Sequence, residues 1–206
     1  MYRMSPRWGY NSTQPYCYKH FAPPGLAPLF SVSPTQVNYL VPEDVPEGQA
    51  EITITNTDNG QKQRALISVV STAPSIFTAN ANGMGVPAAY AVRAKSDGSQ
   101  LFEPVVNFDS SSGKFTPAEI DLGPDTDSVF LVLFGTGFRN RTSLENVVVY
   151  IGGAKAQAFF AARQGDFDGL DQLNVLVPRS LMRKGEVDVL VTVEGKVANP
   201  VKVKFK

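Results

Sequence analysis

The chain has 206 residues, of which 43% are hydrophobic and 18% charged, and its 19 Lys and Arg residues balance its 19 Asp and Glu residues. This composition supports a real hydrophobic core in one large or two small domains. It lacks the basic excess of a nucleic-acid-binding protein. Its longest apolar runs, such as residues 129–134, are far shorter than the about 20 residues that span a membrane. We therefore expect neither a nucleic-acid partner nor membrane insertion.

Residues 1–25 form an atypical segment rich in proline and aromatic residues. The segment contains no apolar stretch of the kind found in a signal peptide, and it carries the single cysteine, Cys17, and the single histidine, His20. These two could form a Cys–His pair, but nucleophilic catalysis also requires a scaffold and an orienting third group. Zinc requires three or four ligands. The segment therefore gives little support for a catalytic or metal site.

From residue 26 onward the pattern of the chain is typical of β-strands. Apolar and polar residues alternate in short runs, such as residues 50–56, 187–193 and 201–206. Turn dipeptides such as Glu194-Gly195 separate these runs. No window of a dozen residues has helical periodicity. The sequence therefore predicts an all-β protein with many short strands.

One supersecondary unit occurs twice. The segment QVNYLVP begins at Gln36 and QLNVLVP begins at Gln172, and each precedes a glycine, an alternating strand, a glycine turn and a second alternating strand. Such repetition indicates two related domains. The second copy has additional strands before it and forms a full unit over residues 120–206, whereas the first copy, residues 26–78, lacks that front half. Residues 79–119 are expected to be a connecting insertion with short strands.

Alternation gives the first strand of each copy an apolar and a polar face. The apolar residues are Val37, Tyr39 and Val41 in the first copy and Leu173, Val175 and Val177 in the second. The polar residues are Gln36 and Asn38 in the first copy and Gln172 and Asn174 in the second. These amides either cap a sheet edge or bond to a neighbouring loop, or they form a duplicated binding site.

Two acidic groupings could carry chemistry. Asp166, Asp168 and Asp171 surround a glycine and are weak calcium candidates, because a D-x-D-G run can begin a calcium loop, although the later bidentate Glu is missing. Glu103 and Glu119 could pair as in glycoside hydrolases, but their surroundings favour solvated or structural roles. The sequence thus identifies no catalytic residue and no cofactor site, and we expect that the protein is not an enzyme.

Several motifs, in this order, resemble known families. The strings FGTGF, YIGGAKAQ, LNVLVP and VANPVKV resemble the IPT/TIG module, an immunoglobulin-like β-sandwich of the E-set type. The series APLFSVSPTQVNYLVP, APSIFTANANGMGVPAA and IDLGPDTDSVFLVLFGTGFRNR resembles the uncharacterised C-terminal domain family of Solibacter-type acidobacterial surface proteins, over residues 27–206. The resemblance implies two immunoglobulin-like sandwiches in tandem, the first apparently incomplete.

The resemblance also implies a class of function. Members are bacterial modules at the end of larger secreted proteins, and they carry no known catalytic residues. We therefore expect an extracellular or cell-surface structural or adhesion module that acts through protein–protein contacts. Because immunoglobulin-like sandwiches often flank polysaccharide-active domains, a carbohydrate-binding accessory module is the alternative.

The missing front half of the first sandwich must be replaced, because unpaired strand edges and uncovered apolar faces are costly. Residues 1–25 could replace it in cis, with one irregular edge strand at best. Alternatively, a neighbouring copy adds a strand in trans, and head-to-tail addition would build a filament. In that case five aromatic residues would anchor the segment in a partner's groove: Trp8, Tyr10, Tyr16, Tyr18 and Phe21.

Overall fold

A computed structural model describes the backbone of residues 16–19 and all atoms of residues 26–34 and 36–206. The described residues form β-strands and turns, with two short 3-10 helices at Leu144–Asn146 and Arg179–Leu181 and no α-helix. The expected all-β class is thus confirmed. In this part of the chain, no helix is long and apolar enough to cross a membrane. Two compact units are present, residues 1–70 and 71–206.

The first unit consists of short strands in two small sheets. Its described strands are β1 (Tyr16–Lys19), β2 (Leu26–Ala27), β3 (Leu29–Val32), β4 (Val37–Tyr39), β5 (Gly48–Thr55) and β6 (Lys62–Val69). One sheet has the order β2-β1-β5-β6, and β3 pairs with β4 alone. β5 and β6 form a long antiparallel hairpin that pairs Gly48 with Val69 and Thr55 with Lys62.

β1 comes from the N-terminal segment and lies inside the first sheet. It pairs antiparallel with β2 on one side and with β5 on the other, so that Tyr18 lies opposite both Leu26 and Thr53. The segment thus adds a strand in cis, and this strand is interior rather than the edge strand expected. Backbone pairing explains the difference, because β5 offers N–H and C=O groups whatever the side-chain pattern of its neighbour. Of the proposed anchors, Tyr16 and Tyr18 are described in backbone only, as is Cys17, and Trp8, Tyr10 and Phe21 lie outside the described residues, as does His20.

The second unit contains the longer strands. They are β7 (Ser75–Ile76), β8 (Ala89–Ala94), β9 (Gln100–Pro104), β10 (Val106–Asp109), β11 (Lys114–Pro117), β12 (Glu119–Ile120), β13 (Ser128–Thr136), β14 (Val147–Ile151), β15 (Ala154–Arg163), β16 (Asp171–Leu176), β17 (Gly185–Val193), β18 (Lys196–Val197) and β19 (Val201–Phe205). β10 and β11 form a separate hairpin. The others follow the order β12-β19-β17-β14-β15-β16-β13-β8-β9, with β18 on β17 and β7 on β13.

This long sheet folds over at β15 into a sandwich. The beginning of β15, residues 154–156, pairs with β14, and the rest, residues 157–163, pairs with β16. The pairing shifts between Ala158 and Phe160, which marks a β-bulge. A bulge bends a strand and increases its twist, so that β15 serves both halves of the sandwich.

The hydrophobic core lies between the two halves. Leu131 and Val175 come from one half, and Val149, Val191 and Val203 come from the other, and all five belong to one buried cluster. The alternating patterns of β16 and β17 therefore predict their buried faces correctly.

The first unit lacks such a core in its described part. Val37 and Tyr39 of the first copy are only partly buried, and Val41 is 46% exposed. Ala50 is the one apolar side chain of this unit that is buried among the described residues. The repeated sequence pattern is the same in both units, but no second sheet of comparable size covers it among the described strands of the first unit.

The expected connecting insertion, residues 79–119, belongs to the second unit. β8 pairs with β13 over six residue pairs, from Ser128 opposite Ala94 to Leu133 opposite Ala89, and β9 pairs with β8. The second unit thus begins near residue 71, earlier than residue 120. The sequence of β8 lacks the regular apolar–polar alternation of the repeat, because its inward positions are occupied by Ala91 and Arg93.

Truncating a core valine of β17 tests the register of the second unit. Val191 is fully buried, and Val191→Ala should lower the free energy of unfolding by about 1–3 kcal/mol through lost burial and a cavity. Thr192 faces the other way, and Thr192→Ala should change it by no more than about 0.5 kcal/mol. Urea unfolding followed by circular dichroism measures both, and equal losses would mean that the faces are assigned wrongly.

Hydrogen exchange should separate the two units. Amides of β13 and β17 lie beside the core and should exchange slowest, because their exchange requires the most extensive unfolding of the second unit. Amides of β5 and β6 should exchange much faster, because few buried apolar contacts oppose their opening. Mass spectrometry of peptic fragments measures both classes, and comparable protection in β5 and β17 would contradict the absence of a core around β5.

Candidate interaction surfaces

The two outer faces of the second unit's sandwich differ in charge. On one of them, here called the charged face, acidic and basic side chains from β12, β17 and β19 form ion pairs. Lys202 Nζ lies 3.0 Å from Asp188 Oδ1 and 3.6 Å from Glu186 Oε1, and Lys204 Nζ lies 2.8 Å from Glu119 Oε1. The hydrogen bond and charge of Asp188 raise the pKa of Lys202. This face is the solvated outside expected of a sandwich sheet.

The opposite outer face is formed by β9, β8, β13, β16 and the second part of β15. Val129, Leu131 and Leu133 of β13 point into the core, so Phe130, Val132 and Phe134 point outward, although Val132 is only 3% exposed. The strand registers place further residues beside them on the same face. We call this set the aromatic face; its members are Tyr90, Val92, Phe102, Pro104, Phe130, Val132, Phe134, Gln157, Phe160, Ala162, Gln172, Asn174 and Leu176, with Phe159 at the bulge. None of these residues carries a charge.

Aromatic rings contact one another across this face. The ring of Tyr90 lies 5.8 Å from those of Phe102 and Phe134, with interplanar angles of 48° and 49°. Phe130 and Phe159 meet edge to face at 5.5 Å. Such tilted contacts are the favoured geometry of aromatic pairs. The rings therefore form two contacting groups, which give the face an uneven apolar surface.

The repeated Gln-x-Asn pair makes the same hydrogen bond in both copies. Gln172 Nε2 donates to Asn174 Oδ1 at 2.8 Å, and Gln36 Nε2 donates to Asn38 Oδ1 at 2.6 Å. The sequence left open an edge cap, a bond to a loop and a binding site, and the structure shows a bond within the strand. In the second copy this pair lies in the middle of the aromatic face, where it is the main polar feature.

Asp171 has a structural role that its place among the calcium candidates did not suggest. Its carboxylate is fully buried and accepts hydrogen bonds from Phe138 N at 2.7 Å, Arg139 N at 3.2 Å and Arg139 Nε at 2.6 Å. These bonds fasten the GTGF turn after β13 to the start of β16. Gly137 has a φ of +76°, and a Cβ there would collide with the carbonyl of Ala73, so the turn requires glycine.

The other two calcium candidates lie apart from this network. Asp166 Oδ2 accepts a hydrogen bond from Gln164 Nε2 at 2.9 Å, and Asp168 is exposed. Among the described residues, no three Asp, Glu, His or Cys side chains are grouped so as to hold a metal ion. Glu103 forms an ion pair with Arg93 at 3.1 Å, and Glu119 forms one with Lys204 at 2.8 Å, so each carboxylate has a cationic partner.

The outer edge of the first sheet is a second surface of interest. β6 ends the strand order, and six of its eight residues are exposed, including Leu66 at 72%. Edge strands present unpaired N–H and C=O groups to any extended segment that approaches. The edge of β6 is therefore a place where another chain can add a strand.

Removal of the Asp171 carboxylate should destabilise the second unit strongly. Asp171→Ala leaves two backbone N–H groups and the Arg139 guanidinium without their acceptor, which should cost about 3–5 kcal/mol in unfolding free energy. The matched change at an exposed carboxylate of the same loop, Asp168→Ala, should cost no more than about 0.5 kcal/mol. Urea midpoints give both values, and a small loss for Asp171→Ala would show that the turn does not depend on this carboxylate.

Comparison of the chain with family models, curated proteins and solved structures found no match. Its function is therefore inferred from its own surfaces and from the resemblance of its motifs.

Proposed function

We propose that this chain is a non-catalytic extracellular or cell-surface module that binds other proteins through the aromatic face of its second unit. The observation that carries the proposal is the one-sided distribution of charge. The charged face has ion pairs on three strands, whereas the described residues that make up the aromatic face, as defined above, include no charged residue. Because both faces belong to the same sandwich, the charge of one face can be compared directly with that of the other.

In a sheet whose outer face contacts only water, apolar residues that point to the core alternate with polar residues that point outward. β19 follows this rule, because Val201, Val203 and Phe205 are buried between exposed or half-exposed lysines. β13 breaks the rule, because its outward positions are Phe130, Val132 and Phe134. Large apolar patches on soluble proteins usually mark contact sites. The departure from alternation therefore supports a binding role for this face.

The size of the exposed patch supports the same role. Phe102 is 66% exposed, Phe159 49% and Phe160 36%. With about 200 Å² for each ring side chain, these three alone expose roughly 300 Å² of aromatic surface. The half-exposed Tyr90 and Phe130 enlarge this area, which places it within the about 300–600 Å² of a typical largest patch, often a functional one.

The resemblance of the motifs supports the location and the absence of catalysis. The families with similar motifs provide extracellular modules at the end of larger secreted proteins. The ion pairs of Glu103 with Arg93 and of Glu119 with Lys204 are consistent with structural roles for these carboxylates.

Binding of neutral polysaccharides is the second candidate. An uncharged sheet face with aromatic rings and the amides of Gln172 and Asn174 offers stacking and hydrogen bonds to sugars. The ring geometry favours the first candidate, because the rings are tilted by 48° to 84° against each other instead of forming a flat platform. An uneven apolar surface of this kind complements a protein side-chain surface better than a sugar ring.

Photo-crosslinking from the aromatic face tests the proposal. The photoreactive residue p-benzoylphenylalanine replaces Phe102 in one variant and Leu190 in the control variant, since Leu190 is 45% exposed on the charged face. Both purified proteins are irradiated with intact cells of the source organism. We expect one discrete protein adduct from position 102 and none from position 190. Excess wild-type chain should suppress the adduct, and excess Phe159→Ser/Phe160→Ser variant should not.

The alternative has its own assay. Cellulose, chitin and xylan particles are incubated with the wild-type chain and with the same double variant, and the bound fraction is measured by sedimentation. Retention that the double variant loses would favour polysaccharide binding. Equal adducts from both crosslinking positions, or competition by the double variant, would contradict a role for the aromatic face.

A further inference from the structure

Along β6, every second residue directs its backbone N–H and C=O groups away from the rest of the sheet. Asn56 N donates to Gln61 O at 2.8 Å, which fixes which residues of the β5–β6 hairpin exchange hydrogen bonds. Because these groups alternate along an antiparallel strand, Gln63, Ala65 and Ile67 direct their backbone groups toward β5. Lys62, Arg64, Leu66 and Ser68 direct theirs outward. Among the described residues, no strand pairs with that outer side.

β6 has few of the features by which natural proteins block an edge strand. Blocking usually relies on proline, bulges, very short strands or charges along the edge. β6 has eight residues, contains no Pro or Gly, and pairs with β5 without a register shift. Its basic residues, Lys62 and Arg64, are confined to the first half, and residues 65–69 carry no charge.

We propose that β6 pairs antiparallel with β6 of a second copy of this chain, about a two-fold axis at Leu66. The inference goes beyond the proposed function, since it concerns a different surface, in the first unit, and a different partner. Head-to-head pairing of identical strands closes after two copies and so gives a dimer. It differs in this respect from the head-to-tail filament expected from the sequence.

The register follows from charge and from the direction of the backbone groups. With Leu66 opposite Leu66 of the second copy, Arg64 lies opposite Ser68 and Lys62 lies opposite Val70. Every outward-directed residue then meets another one, and the central three pairs exchange about six backbone hydrogen bonds. A shift of the axis to Arg64 would place two guanidinium groups opposite each other, which is unfavourable. The two Leu66 side chains, 72% exposed in the single copy, cover one another in the proposed pair.

A disulfide at the proposed axis gives the most direct test. In a Cys17→Ser background, Leu66→Cys places two thiols on directly opposed residues with Cα atoms about 5.5 Å apart, within the range of a disulfide. Gln63→Cys is the control, because in this register its counterpart in the second copy lies about 20 Å away along the strand. We expect a disulfide-linked dimer from Leu66→Cys under mild oxidation and almost none from Gln63→Cys.

Sedimentation of the full chain gives the second readout. The average mass of the wild type should rise with concentration. Leu66→Lys places like charges opposite each other and should raise the dimer dissociation constant by at least about tenfold. Leu190→Lys makes the same change at an exposed leucine of the second unit and should leave that constant unchanged.

The outcomes distinguish the two surfaces. A monomeric wild type at every concentration, or equal disulfide yields at positions 63 and 66, overturns the pairing of β6 and leaves the aromatic face untouched. A dimer that survives Leu66→Lys but is lost in Phe159→Ser/Phe160→Ser would mean that copies meet through the aromatic face. That result would overturn the present inference and support the proposed function.

Discussion

β13 is apolar on both of its faces, and the second unit is arranged around this constraint. Its inward residues, Val129, Leu131 and Leu133, enter the core, and its outward residues, Phe130, Val132 and Phe134, enter the aromatic face. β8 and β16 each pair with it over six residue pairs; β8 adds Tyr90 and Val92 to the aromatic face, and β16 adds Leu176 and the Gln172–Asn174 pair. On the outward side Val132 is only 3% exposed, and Phe130 and Phe134 are partly exposed.

A few specific contacts fix the end of β13. At Gly135 a side chain would meet the carbonyl of Ser75, and Phe138 is fully buried beside it. The buried carboxylate of Asp171 then holds the turn against β16. On the other side, Asn199 accepts from Ile76 N at 2.8 Å and donates to Ile76 O at 3.0 Å, which ties β7 to the segment before β19. These polar contacts fix the end of β13, next to Phe134, and its partner strand β7.

Local patterns predicted the strands of both repeat copies and the buried face of the second copy, because an alternating pattern depends only on residues two positions apart. They did not predict the aromatic face. In VFLVLF both phases are apolar, and such a run also describes a strand buried on both sides. Phe159 reaches Phe130 only because a bulge in β15 turns it to that side, and the contact joins residues 29 positions apart in the chain. Likewise, the proline-rich N-terminal segment gave no strand signal, and β1 forms because β5 offers it backbone partners.

The two copies of the repeat show that completeness depends on partners rather than on the repeated residues. Gln36–Asn38 and Gln172–Asn174 form the same hydrogen bond, and both hairpins begin at a glycine with positive φ, Gly48 or Gly185. Yet Val175 is fully buried while its counterpart Tyr39 is only partly covered. The difference arises because β16 has β13 and β15 on its two sides, whereas β4 has β3 alone. Among the described residues, the second unit thus exposes an uncharged aromatic face and the first unit exposes the edge of β6. In the proposals made above, the aromatic face selects a partner by side-chain shape, and the edge of β6 accepts a strand by backbone hydrogen bonding, with charge setting the register.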